Sequence, residues 1–201
     1  MPVEVEEVFV EMQKIGRLMH EAGLVLSAHS GNISVRRGER IYIKRRGSML
    51  AALNKEDIVE MSLNGASAGT FLASTEVKVH QEIYKNTSAL AVVHAHSPYA
   101  IVESLNHDEI IPIDEEGAYY LKKIPVLAVK NAIGSEEVAR QLPDLLKKYP
   151  AAIVRGHGLF TTGINLESAY GLATVVESVC KLRHLARNSG INIQNVKLGD
   201  W

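Results

Sequence analysis

The chain has very little cysteine, since Cys180 is the only one among its 201 residues. A single thiol has no partner for a disulfide within the chain, so a disulfide-stapled fold is excluded and a reducing compartment is expected. Cys180 lies in a helical pattern among valine and leucine residues, which favours a small buried hydrophobic residue over a reactive thiol. The predicted location is therefore cytoplasmic.

Long hydrophobic runs and an excess of one charge sign are also missing. No stretch approaches the roughly 18 apolar residues of a transmembrane helix, and the acidic, amphipathic beginning of the chain is unlike a signal peptide. The 22 Lys and Arg residues nearly balance the 23 Asp and Glu residues. Proteins that bind nucleic acids through phosphates normally carry a clear basic excess. We therefore expect neither a membrane nor a nucleic-acid partner.

Helical and strand patterns alternate along the whole chain. Helical spacing and cap residues predict helices over 4–22, 76–86, 98–105, 135–149 and 166–189. Short apolar runs predict strands over 32–36, 40–44, 57–65, 90–95, 123–129, 151–154 and 159–162. No linker divides residues 1–201, so we expect one domain with an irregular tail over 190–201. Its fold class is predicted to be α/β, with a central, largely antiparallel sheet covered by helices on both faces.

Two histidines, His94 and His96, end the apolar run "ALAVVHAHSPYA" at 89–100. Residues i and i+2 of a strand point to the same face, so both imidazoles can meet one ion. This spacing alone is only suggestive, because most buried histidines are ordinary core residues with one satisfied hydrogen bond. A structural zinc site would normally use four protein ligands, often cysteines, which this chain does not offer.

A third histidine, His157, stands between two glycines in "RGHGL", directly after the apolar run "AAIV". The glycines remove the Cβ groups that would obstruct a metal or a substrate, and they allow unusual backbone angles. Three histidines at strand ends without cysteine predict a catalytic site for a divalent metal, for which Zn²⁺ is the first candidate.

A glutamate, Glu76, falls at the start of a predicted helix beside the cap residues Ser74 and Thr75. It is either a carboxylate settled on the helix dipole, which contributes about 0.3–1 kcal/mol, or a metal ligand or general base. His80 lies one turn later, where a buried structural role is the favoured interpretation. His29 is a further candidate to line the same pocket.

Four motifs follow one another along the chain: "SGNISVR", "STEVKVHQEIY", "AVVHAHSPYA" and "RGHGLFTTG". In order and spacing they resemble the class II aldolase/adducin family, the group of fuculose-1-phosphate aldolase. The resemblance covers about residues 5–187. It implies a single α/β/α domain and one Zn²⁺ held by His94, His96 and His157. It also implies that Glu76 is a zinc neighbour and the acid/base, and that the protein is a homotetramer with active sites at subunit interfaces.

The resemblance further implies a catalytic tyrosine and a phosphate site. "EEGAYYLKK" offers Tyr119 and Tyr120 for the tyrosine, and the choice between them stays open. The phosphate site corresponds to Gly31-Asn32, to Arg46-Gly47 and to Ser74-Thr75, the last at a helix N-terminus.

The chain departs from the family pattern at one of these places. Many members carry a Thr-Pro-x-Gly stretch where this chain has "KRRGS" at 44–48, so Arg46 replaces a hydroxyl residue. This basic cluster is either a solvated hairpin or an anion pocket. Arginine binds phosphate or carboxylate through two hydrogen bonds, so an anionic substrate is still expected.

The predicted activity is that of a zinc-dependent aldolase. It would cleave a phosphorylated ketose such as L-fuculose 1-phosphate to dihydroxyacetone phosphate and a short aldehyde, through a metal-stabilised enediolate. An L-ribulose 5-phosphate 4-epimerase, a methylthioribulose 1-phosphate dehydratase or a decarboxylase could use the same site. A non-enzymatic, adducin-like interaction module is the alternative from a different class, but such a module would be free to lose the ligand residues that this chain keeps.

Overall fold

The computed structural model describes residues 3–65 and 69–199, with the side chains of Val3 and Glu4 left out. The helices are α1 (Val3–Glu21), α2 (Val77–Asn86), α3 (Pro98–Ser104), α4 (Glu115–Tyr120), α5 (Glu136–Leu146) and α6 (Leu166–Asn188). The strands are β1 (Asn32–Arg37), β2 (Arg40–Lys44), β3 (Ile58–Ser62), β4 (Ala91–Ala95), β5 (Glu109–Ile110), β6 (Ile124–Leu127), β7 (Ala151–Val154) and β8 (Gly158–Gly163). Short 3₁₀ turns lie at Leu50–Ala52, Lys55–Asp57 and Ile193–Asn195.

The eight strands form one sheet in the order β3-β2-β1-β4-β8-β7-β6-β5. Neighbouring strands run antiparallel, except that β6 and β7 are parallel. Strand β4 therefore lies near the middle, between β1 and β8. The register pairs His94 with Asn32 of β1 on one side and with Phe160 of β8 on the other.

Helices cover both faces of the sheet, as the alternation along β4 shows. Ala91, Val93 and Ala95 belong to the core shared with α1 and α6, whereas Val92 belongs to the core shared with α2 and α5. A central strand buried on both faces is apolar throughout, which explains the continuous run before His94. The α/β fold with a largely antiparallel central sheet is thus confirmed.

Several local features were not predicted. Helix α4 and the two-residue strand β5 are too short to show a clear period in the sequence. Helix α5 ends at Leu146 rather than at 149, shortly after Pro143. The tail, expected to be irregular, contains the 3₁₀ turn at 193–195, and the Gly199 N–H donates to the Glu115 carboxylate at 3.2 Å. Residues 200–201 lie outside the described part, and the single-domain boundary stays a prediction.

None of the helices in the described ranges combines the length and apolar character that crossing a bilayer requires.

A buried ion cluster joins α3 to α6. The Glu103 carboxylate, 2% exposed, accepts hydrogen bonds from Arg183 Nε at 3.1 Å and Arg187 Nη2 at 2.9 Å. Burial raises the pKa of Glu103, but the hydrogen bonds and charges of Arg187 and Arg183 outweigh it and leave the pKa below its usual value.

We expect Glu103→Ala to lower the free energy of unfolding by roughly 3–5 kcal/mol at pH 7, because it leaves Arg183 buried without a counterion. Since the folded-state pKa is depressed, the stabilisation is complete above the unfolded value of about 4.3 and is lost as the pH falls through the folded pKa. Urea unfolding at pH 7 and pH 3.5 measures the difference. Glu60→Gln, in the exposed pair with Arg40, is the control and should change little. An equal effect of the two variants at pH 7 would contradict the prediction.

Candidate metal centre and active site

The three predicted histidines come together because β8 pairs with β4. His94 is in β4, His96 follows the strand, and His157 lies in the turn between β7 and β8. The pairing of Ala95 with Leu159 places that turn beside the end of β4. The ring centroids form a triangle with each edge 4.8 Å long. One ligand atom from each ring lies within 4.8 Å of the others, so the three residues could hold a metal ion.

The nitrogen atoms of this triangle suit a cation. His94 Nδ1 lies 2.9 Å from the Leu159 carbonyl oxygen and donates to it, which leaves Nε2 as an electron-pair donor. His94 Nε2 is 2.9 Å from His96 Nε2, and a shared cation would satisfy both lone pairs at once. Burial lowers the pKa of all three imidazoles, that of His157 to about 4. They are therefore neutral near pH 7, which is the form that ligates metals.

Glycine and phenylalanine fix the His94 ring. A Cβ at Gly158 would lie 2.5 Å from the Ala95 carbonyl oxygen and 3.1 Å from His94 Cε1, so only glycine fits there. Gly156 has a φ of +68°, which also favours glycine. The predicted backbone freedom is thus seen at Gly156, whereas Gly158 is required by its close approach to Ala95 and His94 rather than by room for a metal or a substrate. Phe160 stacks on His94 with centroids 4.1 Å apart.

Glu76 lies beside the triangle of imidazole rings, next to His157. It is 2% exposed, and its Oε1 lies 3.8 Å from His157 Nε2 and accepts a 2.8 Å hydrogen bond from the Gly134 N–H. Burial raises the pKa of Glu76 to about 7, and the Gly134 N–H opposes this shift. The residue is the N-cap of α2, one position before the helix, and its carboxylate caps no N–H of that helix. The interpretation as a carboxylate settled on its own helix is therefore disfavoured.

A cavity of about 260 Å³ opens beside the histidines. All six residues predicted for phosphate binding line it: Gly31, Asn32, Arg46, Gly47, Ser74 and Thr75. The Asn32 Oδ1 and Glu76 Oε2 atoms are buried there without a hydrogen-bond partner among the described residues. A buried polar atom left unpaired costs about 1–3 kcal/mol, so both atoms are placed for a ligand. The chemistry of these donors fits a metal ion together with an anionic substrate.

The other candidates fall into two groups. His29 lines the cavity. His80 is fully buried with Nδ1 2.7 Å from Ser34 Oγ, which agrees with the buried structural role that the sequence favours for it. Tyr119 and Tyr120 lie on α4, are 63% and 52% exposed, and do not line the cavity of their own chain. Their catalytic role stays a prediction.

Sequence reasoning missed two residues at this site: Ile133 lines the mouth of the cavity, and the Gly134 N–H donates to Glu76. Lys44, the first residue of the basic cluster considered above as an anion pocket, lines the cavity as well. Gly134 has a φ of +55°, and a Cβ there would lie 2.6 Å from the Thr75 carbonyl oxygen. A glycine before a helix cap was the only available signal for this contact, and it is not specific.

We expect Gly158→Ala to weaken metal binding about 10–100-fold, because the added methyl group must push the His157 turn away from His94. Competition for Zn²⁺ with a chromophoric chelator measures the affinity. Gly171→Ala is the matched control, since a Cβ at that helical position meets no atom within 4 Å. Equal affinities of the two variants would show that the close approach at Gly158 does not position the ligands.

Comparison with known proteins identifies relatives of this chain. A curated L-fuculose phosphate aldolase from Methanococcus maripaludis is 32% identical over 179 residues, covering 89% of this chain and 97% of that protein. The crystal structure of L-fuculose-1-phosphate aldolase from Thermus thermophilus superimposes with a TM-score of 0.88 at 34% identity, covering 92% of this chain and 96% of the other.

A relative named for a different activity has a similar identity to this chain. It is a 3-oxo-tetronate 4-phosphate decarboxylase from Haemophilus influenzae, 29% identical over 85% of this chain and 84% of its own length. Residues 10–184 match the family described as Class II Aldolase and Adducin N-terminal domain. The chain therefore belongs to the class II aldolase and adducin family.

Proposed function

We propose that this protein is a zinc-dependent aldolase that cleaves a phosphorylated ketose of the L-fuculose 1-phosphate kind to dihydroxyacetone phosphate and a short aldehyde. The observation that carries the proposal is the triangle of neutral imidazoles beside Glu76, which opens onto a cavity with the predicted phosphate-binding residues. Fuculose-phosphate aldolases among the relatives supply the substrate class. A cytoplasmic location is part of the proposal.

His94, His96 and His157 would hold the ion through three nitrogen donors, the number typical of a catalytic zinc site. When bound, Zn²⁺ supplies Lewis-acid stabilisation of negative charge on the ketone side of the substrate. The protein fixes the donor geometry through the Leu159 carbonyl and the Phe160 ring.

The phosphate group is bound at the start of α2. The positive end of this ten-residue helix favours an anion, and the hydroxyl residues Ser74 and Thr75 precede it. Gly31 and Gly47 adopt positive φ angles of +72° and +77°. The exposed Arg46 guanidinium supplies a charge-assisted, bidentate contact to the phosphate in place of the family's hydroxyl residue.

Glu76 moves the proton on carbon. In the cleavage direction the substrate hydroxyl gives its proton to an ionised tyrosine oxygen at the aldehyde end, the adjacent C–C bond breaks, and the aldehyde leaves, while Glu76 starts in its protonated form. The electron pair of that bond stays on the three-carbon fragment, which must gain a proton on carbon. Glu76 is held by the Gly134 N–H through Oε1, which leaves the unpartnered Oε2 for this transfer.

Tyr119 or Tyr120 of a neighbouring copy in a homotetramer exchanges a proton with the oxygen of the departing aldehyde. Both tyrosines are more than half exposed and lie outside their own cavity. The apolar side chain of Ile133, which lines the cavity, is exposed as well, at 69%. An interface at the cavity mouth would cover these residues and bring in the hydroxyl group.

We expect His94→Ala to abolish turnover together with metal binding, because two imidazoles cannot maintain the site. Zinc content per chain and release of dihydroxyacetone phosphate are the measurements. His20→Ala, on the exposed end of α1, is the control and should keep both. Wild-type turnover in a metal-free His94→Ala protein would refute the proposal. The substrate panel includes 3-oxo-tetronate 4-phosphate, whose decarboxylation also yields dihydroxyacetone phosphate. Release of CO₂ from that compound, without release of an aldehyde from any ketose phosphate of the panel, would therefore assign a decarboxylase instead.

Mixing two inactive variants tests whether each active site combines residues from two subunits. His94→Ala and the double variant Tyr119→Phe/Tyr120→Phe should each be inactive. After unfolding and refolding together in equal amounts, they should recover about a quarter of wild-type activity, because some sites combine an intact triangle with an intact tyrosine. Recovery is measured against each variant refolded alone. Absence of recovery in a verified mixed tetramer would rule out a shared site.

A further inference from the structure

His96 lies outside the strand pairing that holds His94. Strand β4 ends at Ala95, so His94 lies within the ladders to β1 and β8, whereas His96 lies beyond both. Within residues 3–65 and 69–199 the His96 ring donates no hydrogen bond to a carbonyl or carboxylate, and its neighbour is His94, with the two Nε2 atoms 2.9 Å apart. A ligating histidine normally donates its second ring N–H to such a group, which fixes the ring. The position of His96 therefore depends on the chain that follows it.

The chain after His96 turns directly into α3, and the residue before this helix does not cap it. Ser97 holds that place, but its hydroxyl donates to the Leu24 carbonyl at 3.4 Å rather than accepting an N–H of the helix. The first residue of α3 is a proline, which has no N–H to satisfy. The N–H groups of Tyr99 and Ala100 need an acceptor from elsewhere, because the first turn of a helix has no carbonyl of its own to bind them.

Glu177 provides that acceptor from the middle of α6. Its Oε1 accepts the Tyr99 N–H at 3.0 Å, and its Oε2 accepts the Ala100 N–H at 2.9 Å. The two contacts join residues that are 78 and 77 positions apart in the chain. Hydrogen bonds to a carboxylate are strong, and the helix dipole favours a negative charge at the start of a helix. One side chain of a different helix thus fixes the first turn of α3, and with it the backbone after His96.

A carboxylate is a costly cap at this place. Glu177 is half-buried, and burial raises the pKa of its carboxyl group more than the two N–H groups and the charge of Lys181 lower it. Burying a carboxylate costs more free energy than burying a hydroxyl group. Lys181, one turn further along α6, has its Nζ 5.8 Å from the centre of the Tyr99 ring and so packs over the same turn. Side chains that lock the orientation of a ligand are typical of the surroundings of metal sites.

We propose that Glu177 is a positioning residue for the metal centre, which holds the first turn of α3 and thereby the imidazole of His96. The inference rests on the metal site of the proposed function and does not depend on which ketose is cleaved. Without the carboxylate, two N–H groups of the first turn lose their acceptor, and the turn shifts to reach water. His94 keeps its Leu159 carbonyl and its Phe160 stack, so the loss falls on His96.

Glu177→Ala in the whole chain tests the proposal without turnover. We expect the affinity for Zn²⁺ to fall about 10–100-fold, the usual effect of losing a residue that orients a metal ligand. Competition with a chromophoric chelator measures this affinity. The visible absorption of the Co²⁺-loaded protein reports the ligand geometry directly, and we expect the Glu177→Ala spectrum to differ from that of the wild type. Glu177→Gln keeps one acceptor oxygen, and its affinity should lie between the two.

Asn165→Ala is the matched control, because it removes a helix cap at a distance from the ligands. The Asn165 Oδ1 accepts the Ser168 N–H at 2.8 Å at the start of α6, which follows the end of β8 opposite to the His157 turn. Loss of either cap should lower the thermal midpoint of the metal-free protein by a few degrees. Only Glu177→Ala should change the Zn²⁺ affinity and the Co²⁺ spectrum.

Two results would overturn the assignment. If Glu177→Ala binds Zn²⁺ as tightly as the wild type and gives the same Co²⁺ spectrum, Glu177 only caps α3. If Asn165→Ala loses the same affinity, the loss follows from general destabilisation and not from the position of His96. A wild-type protein that binds no Zn²⁺ would instead refute the metal site itself, and one that binds Zn²⁺ but releases no dihydroxyacetone phosphate would refute only the aldolase. The failures are therefore distinguishable.

Discussion

The candidate site depends on the antiparallel pairing of β4 with β8. In this pairing Ala95 lies opposite Leu159. As a result the β7–β8 turn places His157 beside the side chains of His94 and His96. The pairing also provides the Leu159 carbonyl that orients His94 and the Phe160 ring that stacks on it. A one-residue slip of β8 would turn its side chains to the opposite face and separate the three imidazoles.

Burial controls the charge state of the site in opposite ways for different residues. It keeps the three imidazoles neutral and raises the pKa of Glu76, so these groups are suited to bind a cation and to exchange a proton. For Lys44, which lines the same cavity, burial instead lowers the pKa to about 8, and the charge of Asp57 offsets this only in part.

The family and the fold of this chain are established, whereas its reaction is a proposal. The match over residues 10–184 and the 0.88 TM-score establish the family and the fold. Relatives with aldolase and decarboxylase activities share this scaffold, since both reactions leave an electron pair beside a carbonyl group. The choice between them depends on the residues around the departing fragment, and the Lys44-Arg45-Arg46 segment is where this chain departs from the pattern of many members.

The sequence by itself determined the α/β class, the order of the longer helices and strands, and the three histidines as candidate ligands, because hydrophobic periodicity and glycine-flanked imidazoles are local signals. It also indicated all six cavity residues predicted for phosphate, through resemblance to family motifs. Only the tertiary structure decided that Lys44 is buried, that Gly134 holds Glu76, and that Tyr119 and Tyr120 lie away from their own cavity. Those facts depend on contacts between distant segments, such as the 58 residues that separate Glu76 from Gly134, and no local pattern encodes them.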